Sequence, residues 1–249
     1  DGADVFHISV ASSAVTTTIT NFQVSNSADA PDTVDLSAFG SSQAITLTQS
    51  GANTTLTDGH NTVVLQNVSA TELSLANFEG VSSLTVAGSA GQTITGTSGN
   101  DTLVGTTGAD TLSGLGGNNH LTGSGGADHF VISPNPADGS IDTITDFVPG
   151  SSSGEVIDLT AFSSAPNLLW AGIGSDAWTL INGSKLLEVQ NVNPTSIVWA
   201  NYVGLGSKAF IDNSSTTSGH FIVGADTVHS LTGTAYDDTI VGDSGGTSI

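Results

Sequence analysis

Residues Gly96 to Val131 read GTSGNDTLV, GTTGADTLS, GLGGNNHLT and GSGGADHFV, four nine-residue units in succession with no insertion or deletion. The first position is glycine in every unit (Gly96, Gly105, Gly114, Gly123), and so is the fourth (Gly99, Gly108, Gly117, Gly126). The sixth is Asp101, Asp110, Asn119 or Asp128, and the eighth is apolar: Leu103, Leu112, Leu121 or Phe130. Six residues of each unit are turn formers, and glycine at fixed places permits the positive backbone angles of a tight turn. The other three make a short strand with one apolar side chain pointing inward. A flexible Gly/Asp/Ser-rich linker would share this composition but would not hold the apolar position in register through four units.

Strand and turn in alternation coil into a two-sided parallel roll with strands about 4.8 Å apart. Units n and n+2 then share a side, which places Asp101 over Asn119 and Asp110 over Asp128. Stacked like charges are unfavourable. A hard cation with six to eight oxygen ligands relieves the repulsion, and turn carbonyls can complete its shell. Calcium suits such a cage better than magnesium, which requires a strict small octahedron and retains its waters. Zinc is disfavoured, because the chain has no cysteine and no paired histidines at ligand spacing.

The unit resembles the RTX (repeats-in-toxin) nonapeptide, a calcium-binding repeat. The resemblance implies an all-β fold in which parallel β-roll segments alternate with other β-rich units, Ca2+ as the cofactor, and folding of the roll on calcium. The candidate calcium-binding residues of the roll are Gly96, Ser98 and Asp101; Gly105, Thr107 and Asp110; Gly114, Gly116 and Asn119; and Gly123, Gly125 and Asp128. Asp4, Asp146, Asp237, Asp238 and Asp243 extend the set outside it. Removal of Asp110, a charged ligand, is expected to cost more than removal of Asn119.

The flanks are duplicated. Residues 1–80 and 125–204 repeat one pattern about 124 residues apart: Gly2-Ala3-Asp4-Val5-Phe6 matches Gly126-Ala127-Asp128-His129-Phe130, and Thr18–Phe22 matches Thr143–Phe147. Val34–Phe39 matches Ile157–Phe162, Gln66–Val68 matches Gln190–Val192, and Ala76–Phe78 matches Ala200–Tyr202. The chain thus divides into a first β-rich unit (1–80), a central calcium-binding roll (81–131), a second β-rich unit (132–204), and an insertion leading into a further roll (205–249). Strands are expected at Ile45–Leu47 and Thr62–Val68, and at Leu168–Trp170, Trp178–Ile181 and Leu186–Val192. Phe147, Phe162 and Trp170 are expected to close the stack. Ala87–Thr95 reads as a degenerate first turn, with Gln92 where an aspartate would stand.

Asp35 and Asp158, each before a Leu-Ser/Thr-Ala run, read as turn makers without calcium. Asp146 is open between a ligand capping the roll and an acceptor of loop hydrogen bonds. After the second unit, Ser207–Val223 contains about thirteen residues more than its counterpart, by the offset of the repeat pattern. The segment Gly233–Val241 then starts another nonapeptide. A chain that opens on the end of one such block and closes near the start of another is expected to be either a slice of a longer array or a subunit that joins end to end.

Charge removes several functions from consideration. Twenty-three acidic residues against two basic ones, Lys185 and Lys208, give a net charge of −21, which repels nucleic acid and anionic membranes. Without cysteine the chain has no disulfide framework and no thiol chemistry. His120 and His129 fall in consecutive units and face opposite sides, so they share neither a metal nor a proton. The glutamates Glu72, Glu79, Glu155 and Glu188 are scattered over loops and strand ends. No nucleophile elbow, zincin helix or phosphate loop is present. The aromatic residues of the second unit, Trp170, Trp178, Trp199, Tyr202 and Phe210, read as core rather than as a carbohydrate platform.

These features converge on a non-enzymatic, calcium-binding extracellular or cell-surface protein: a surface layer, filament or adhesin module, with end-to-end self-association and cell-surface polysaccharide as candidate partners. The alternative is the noncatalytic module of a secreted protease, lipase or polysaccharide epimerase. Secretion by a type I route is implied by the resemblance alone.

Overall fold

Three-residue strands separated by six-residue turns satisfy their backbone groups only by pairing with strands two units away, and the computed structural model of the chain has that arrangement. It describes residues 2–10, 13–24, 30–39, 44–88, 90–134, 140–150, 152–163, 166, 168–181, 185–193, 196–197, 201–204, 210–212, 221–223 and 239–241.

The first unit holds β1 (Val5–His7), β2 (Thr16–Ile19), β3 (Thr33–Asp35), β4 (Ala44–Ser50), β5 (Asn53–Thr57), β6 (Thr62–Leu65) and β7 (Phe78–Glu79). The roll follows as β8 (Ser83–Ala87), β9 (Thr93–Thr95), β10 (Thr102–Val104), β11 (Thr111–Ser113), β12 (His120–Thr122) and β13 (His129–Val131). The second unit holds β14 (Ile141–Ile144), β15 (Val156–Asp158), β16 (Leu168–Ile173), β17 (Asp176–Ile181), β18 (Lys185–Val189) and β19 (Tyr202–Val203). Last come β20 (Phe210–Asp212), β21 (Phe221–Val223) and β22 (Thr239–Val241).

Alternate strands of the roll go to opposite walls. One wall is a five-stranded sheet, β19-β15-β13-β11-β9, and the other is the centre of a fourteen-stranded sheet, β2-β6-β5-β4-β8-β10-β12-β14-β18-β17-β16-β20-β21-β22. Stacking is parallel and in register: Thr102 is opposite His120, and Thr111 opposite His129. Asp101 therefore lies over Asn119, and Asp110 over Asp128, as the nine-residue period predicts. Leu103, Leu112, Leu121 and Phe130 are all completely buried between the walls. Burying a side chain of this size contributes about 1.5–3 kcal/mol.

The duplication is visible as a repeated pairing order. In the first unit β2-β6-β5-β4 run parallel, antiparallel, antiparallel, and in the second β14-β18-β17-β16 do the same. The expected strands occur, with β5 as an addition, but those expected at Thr62–Val68 and Leu186–Val192 end at Leu65 and Val189, because Asn67 and Asn191 turn the chain at φ of 55° and 56°. Phe147 is buried against Phe130, ring centroids 6.0 Å apart, and Phe162 packs on the core from a half-buried position. The side chain of Trp170, Trp199 as a whole and the side chain of Phe210 lie outside what is described. Of the lengthened segment Ser207–Val223, the described residues form β20 and β21, an antiparallel pair between β16 and β22.

The fixed glycines serve two different needs. Gly117 and Gly126, at the fourth position, have φ of 81° and 124°, where a side chain would be strained. The first-position glycines do not have positive φ. They are glycine because space is absent: a Cβ on Gly96 would lie 2.6 Å from Asp101 Oδ2 and 2.8 Å from the Gly114 carbonyl. On Gly105 it would lie 2.5 Å from Asp110 Oδ2 and 2.6 Å from the Gly123 carbonyl. The turn wraps its own carboxylate too closely for any β-carbon.

Candidate metal centre

The turns stack at the two edges of the roll. At one edge lie Gly96–Asp101 and Gly114–Asn119, followed by the loop into β14. At the other lie Gly105–Asp110 and Gly123–Asp128, followed by the loop Asp146–Glu155 between β14 and β15. Asp101, Asp110, Asn119 and Asp128 are buried, each at 3% exposure or less, so the three carboxylates have lost most of their hydration. Burial raises the pKa of Asp101. It raises that of Asp128 too, aided by the charges of Asp110 and Asp146 and opposed by the amide of Asp110.

Neighbouring layers are tied by hydrogen bonds despite the repulsion between their carboxylates. The N–H of Gln92 donates to Asp110 Oδ1 (2.6 Å), that of Asp101 to Asn119 Oδ1 (3.0 Å), and that of Asp110 to Asp128 Oδ1 (2.8 Å). Gln92, the degenerate position, therefore still serves the ladder as a donor. Asn119 passes the contact on: its Nδ2 donates to Asp142 Oδ1 at 2.9 Å.

Asp146 accepts the N–H of Gly123 at 2.9 Å and of Ser124 at 2.7 Å, which places its carboxylate under the fourth turn. Asp128 Oδ2 is buried there without a hydrogen-bond partner. The third acid is Glu155. Because β13 pairs with β15 with His129 opposite Val156, Glu155 occupies the layer after Asp128. It is 5% exposed and accepts the Val148 N–H at 2.8 Å. Burial first, and the charges of Asp128 and Asp146 after it, push its pKa up to about 7 against the opposing pull of that N–H. By sequence alone Glu155 is one of four scattered glutamates. The available signal was its place just before Val156-Ile157-Asp158, the counterpart of Asp32 before Thr33-Val34-Asp35.

This junction fits calcium. Its donors are oxygens throughout, one carboxylate oxygen is orphaned, and a Cβ on Gly123 would fall onto that same oxygen. Among the described residues, no three carboxylate or imidazole groups converge tightly enough to hold a metal unaided. Turn carbonyls are therefore needed to complete a shell, in keeping with calcium's preference for mixed oxygen ligands. Asp128, with Asp146 and Glu155 near it and turn carbonyls completing the shell, would hold the ion, which would supply positive charge to carboxylates whose pKa neighbouring charges help to raise.

The remaining candidates lie as follows. Gly96, Gly105, Gly114 and Gly123 are buried at the turn starts, Gly116 and Gly125 are half-buried, and Ser98 and Thr107 are exposed. Asp4 is exposed, its N–H donating to Asp32 Oδ1 at 2.8 Å. Asp237, Asp238 and Asp243 lie outside the described residues. Asp35 and Asp158 accept the N–H groups of Ser37 (2.9 Å) and Thr160 (2.8 Å) in local turns, and Asp35 also meets His7 at 2.7 Å. His120 and His129 stand exposed on opposite walls.

No curated protein matches the chain. Residues 95–130 and 230–245 match the family model of the RTX calcium-binding nonapeptide repeat, in 4 copies. The match covers the roll and the tail block, not the duplicated units between which the roll sits. By the register of the roll and by this match, residues 95–130 are RTX-type calcium-binding nonapeptide repeats.

Proposed function

We propose that this protein is a non-enzymatic structural segment of an extracellular or surface protein, made rigid by calcium at the seam between its roll and its second β-rich unit. The observation that carries this reading is the unpartnered, buried Asp128 oxygen, beside buried Glu155 and half-buried Asp146 whose charges act on one another, where β13 and β14 pass the stack from one to the other. Uncompensated, these charges push the two parts apart; neutralised, they join a continuous sheet. Twenty-one net negative charges act in the same direction along the whole chain. Ion binding to the folded state alone contributes about 2.7 kcal/mol at a hundredfold excess over Kd.

The duplicated unit, whose strand order is the same in both copies, supports a role in an extended array such as a surface layer, filament or adhesin stalk, since repeats that contact only their neighbours build elongated supports. Secretion accords with the family, and no helix among the described residues is long and apolar enough to cross a membrane. End-to-end association and polysaccharide contact belong to the same reading.

Far-UV circular dichroism and thermal melts of the full chain, with calcium and with EGTA, test the central claim. Calcium is expected to raise Tm and β content together; identical curves would remove the reading. Light scattering in millimolar calcium tests assembly, and a monomer at all concentrations would reject the end-to-end form.

A further inference from the structure

We infer that threonine at the second position of the nonapeptide closes a turn against calcium, so that the first two turns of this roll are held by their own side chains and the ion is confined to the later layers. The inference rests on the calcium reading above and deepens it by assigning which turns take the ion.

The four units share one consensus but have two conformations. In units three and four, the second position is Leu115 or Ser124, with φ of 63° and 74°, followed by Gly117 and Gly126 at 81° and 124°. In units one and two, Thr97 and Thr106 at the same position do not have positive φ, nor do Gly99 and Gly108. A β-branched residue resists the left-handed region that Leu115 and Ser124 occupy. The chain turns the other way, and the threonine folds over the carboxylate.

The contacts repeat almost identically. Thr97 N–H donates to Asp101 Oδ2 at 2.6 Å, and its hydroxyl lies 3.1 and 3.2 Å from the two carboxylate oxygens. Thr106 N–H donates to Asp110 Oδ2 at 2.6 Å, with its hydroxyl 3.1 Å from both oxygens. The same hydroxyls accept the N–H of Gly99 (3.1 Å) and Gly108 (3.0 Å). The Thr97 and Thr106 carbonyls are taken by the N–H groups of Gly116 and Gly125 in the next layer. Asp110 further receives the Gln92 N–H. Both of its oxygens, and the carbonyl beside them, are engaged by protein donors. In unit four the corresponding N–H, that of Ser124, turns away to Asp146. Asp128 keeps one buried oxygen free. Asp110 and Asp128 stack as equals, yet only Asp128 is left needing a cation.

Calcium stoichiometry on the full chain, by equilibrium dialysis with elemental analysis, tests this through isosteric changes. Asp128→Asn is expected to lower the bound calcium by one ion per chain, and Asp110→Asn to leave it unchanged. Thr106→Gly, which restores freedom to the closed turn, is expected to add one ion, and Ser124→Thr to remove one. Loss of an ion in Asp110→Asn overturns the inference, as does an unchanged count in folded Thr106→Gly. If Thr106→Gly does not fold, Ser124→Thr decides: an unchanged count there also overturns it. Wild-type protein binding no calcium would instead defeat the calcium reading itself, a result distinct from all of these.

Discussion

The two β-rich units hold the same carboxylate position in two different ways. In the first, Asp32 is 1% exposed and both its oxygens are occupied, by the N–H of Asp4 and of Gln23, each at 2.8 Å. In the second, the counterpart Glu155 reaches the Val148 N–H, the equivalent of Gln23, and meets Asp128 and Asp146. Asn21 stands in the first unit where Asp146 stands in the second. Other features of the cage are retained: Asn77 Nδ2 donates to the Asp32 carbonyl, and Asn201 Nδ2 to the Glu155 carbonyl. A methylene and one exchange of amide for carboxylate thus separate a site satisfied by backbone amides from one that requires a cation. Buried charge is tolerated when enough donors meet it, and otherwise it creates a demand for a partner.

The largest consequence of this contrast is regional. With calcium removed, amide hydrogen exchange is expected to accelerate through β12–β15 by orders of magnitude while β3–β6 keep their protection. Uniform exchange in both units would break the comparison. Next in size is steric damage at the seam. Gly126→Ala places a Cβ against the Gly108 carbonyl at a φ of 124°, for a cost of about 1–3 kcal/mol from backbone strain alone. Gly59→Ala in the first unit, at a φ of 90° but in open space, is expected to cost about 1–2 kcal/mol. Denaturant titration of both variants checks the order.

A third expectation concerns protons. The Glu155 carboxyl has a pKa of about 7 in the folded protein against 4.5 in its ordinary state. Between those values the calcium-free folded protein keeps a proton that the unfolded chain has released. Its stabilising share is full below pH 4.5 and is lost as pH rises through about 7. The raised pKa values of Asp101 and Asp128 act with the same sign. Asp35, held down to about 2 chiefly by its bonds with Ser37, acts with the opposite sign, and its share is lost only as pH falls toward that value. In EGTA the protein should therefore melt higher at pH 5 than at pH 8, and Glu155→Gln should flatten the difference. An unaltered slope in that variant would show that Glu155 is not the source. The smallest effect is expected from Asn21→Asp, which gives the first unit its third acid. Asn21 is exposed, so the change in EGTA should stay within about 0.5 kcal/mol and be reversed by calcium.

The nine-residue period settled a good deal before any coordinates. One apolar residue per unit at constant spacing admits one inward-facing side chain per strand, and stacking with unit n+2 follows because successive strands go to opposite walls. Leu112 under Ile94, and Phe130 under Leu112, are direct outcomes of that spacing. The duplication was equally legible, since pairs such as Val34-Asp35-Leu36 and Ile157-Asp158-Leu159 keep order and offset. The strand β5 was not: Asn53–Thr57 has only one strongly apolar residue, Leu56, and becomes a strand because it is hydrogen-bonded between β4 and β6.

Tertiary structure alone decided which carboxylates are left unsatisfied. Asp101, Asp110 and Asp128 are the same letter at the same position, and local sequence treats them alike. What separates them is whether the backbone at the second position enters the left-handed region, and which donors of the neighbouring layer then reach the carboxylate. Glu155 lies 27 positions after Asp128 in sequence, a separation that pairing of β13 with β15 reduces to one strand spacing. Periodicity dictates nearest layers because each turn is short and stiff; competition among donors for a buried oxygen is settled only when all the layers are in place.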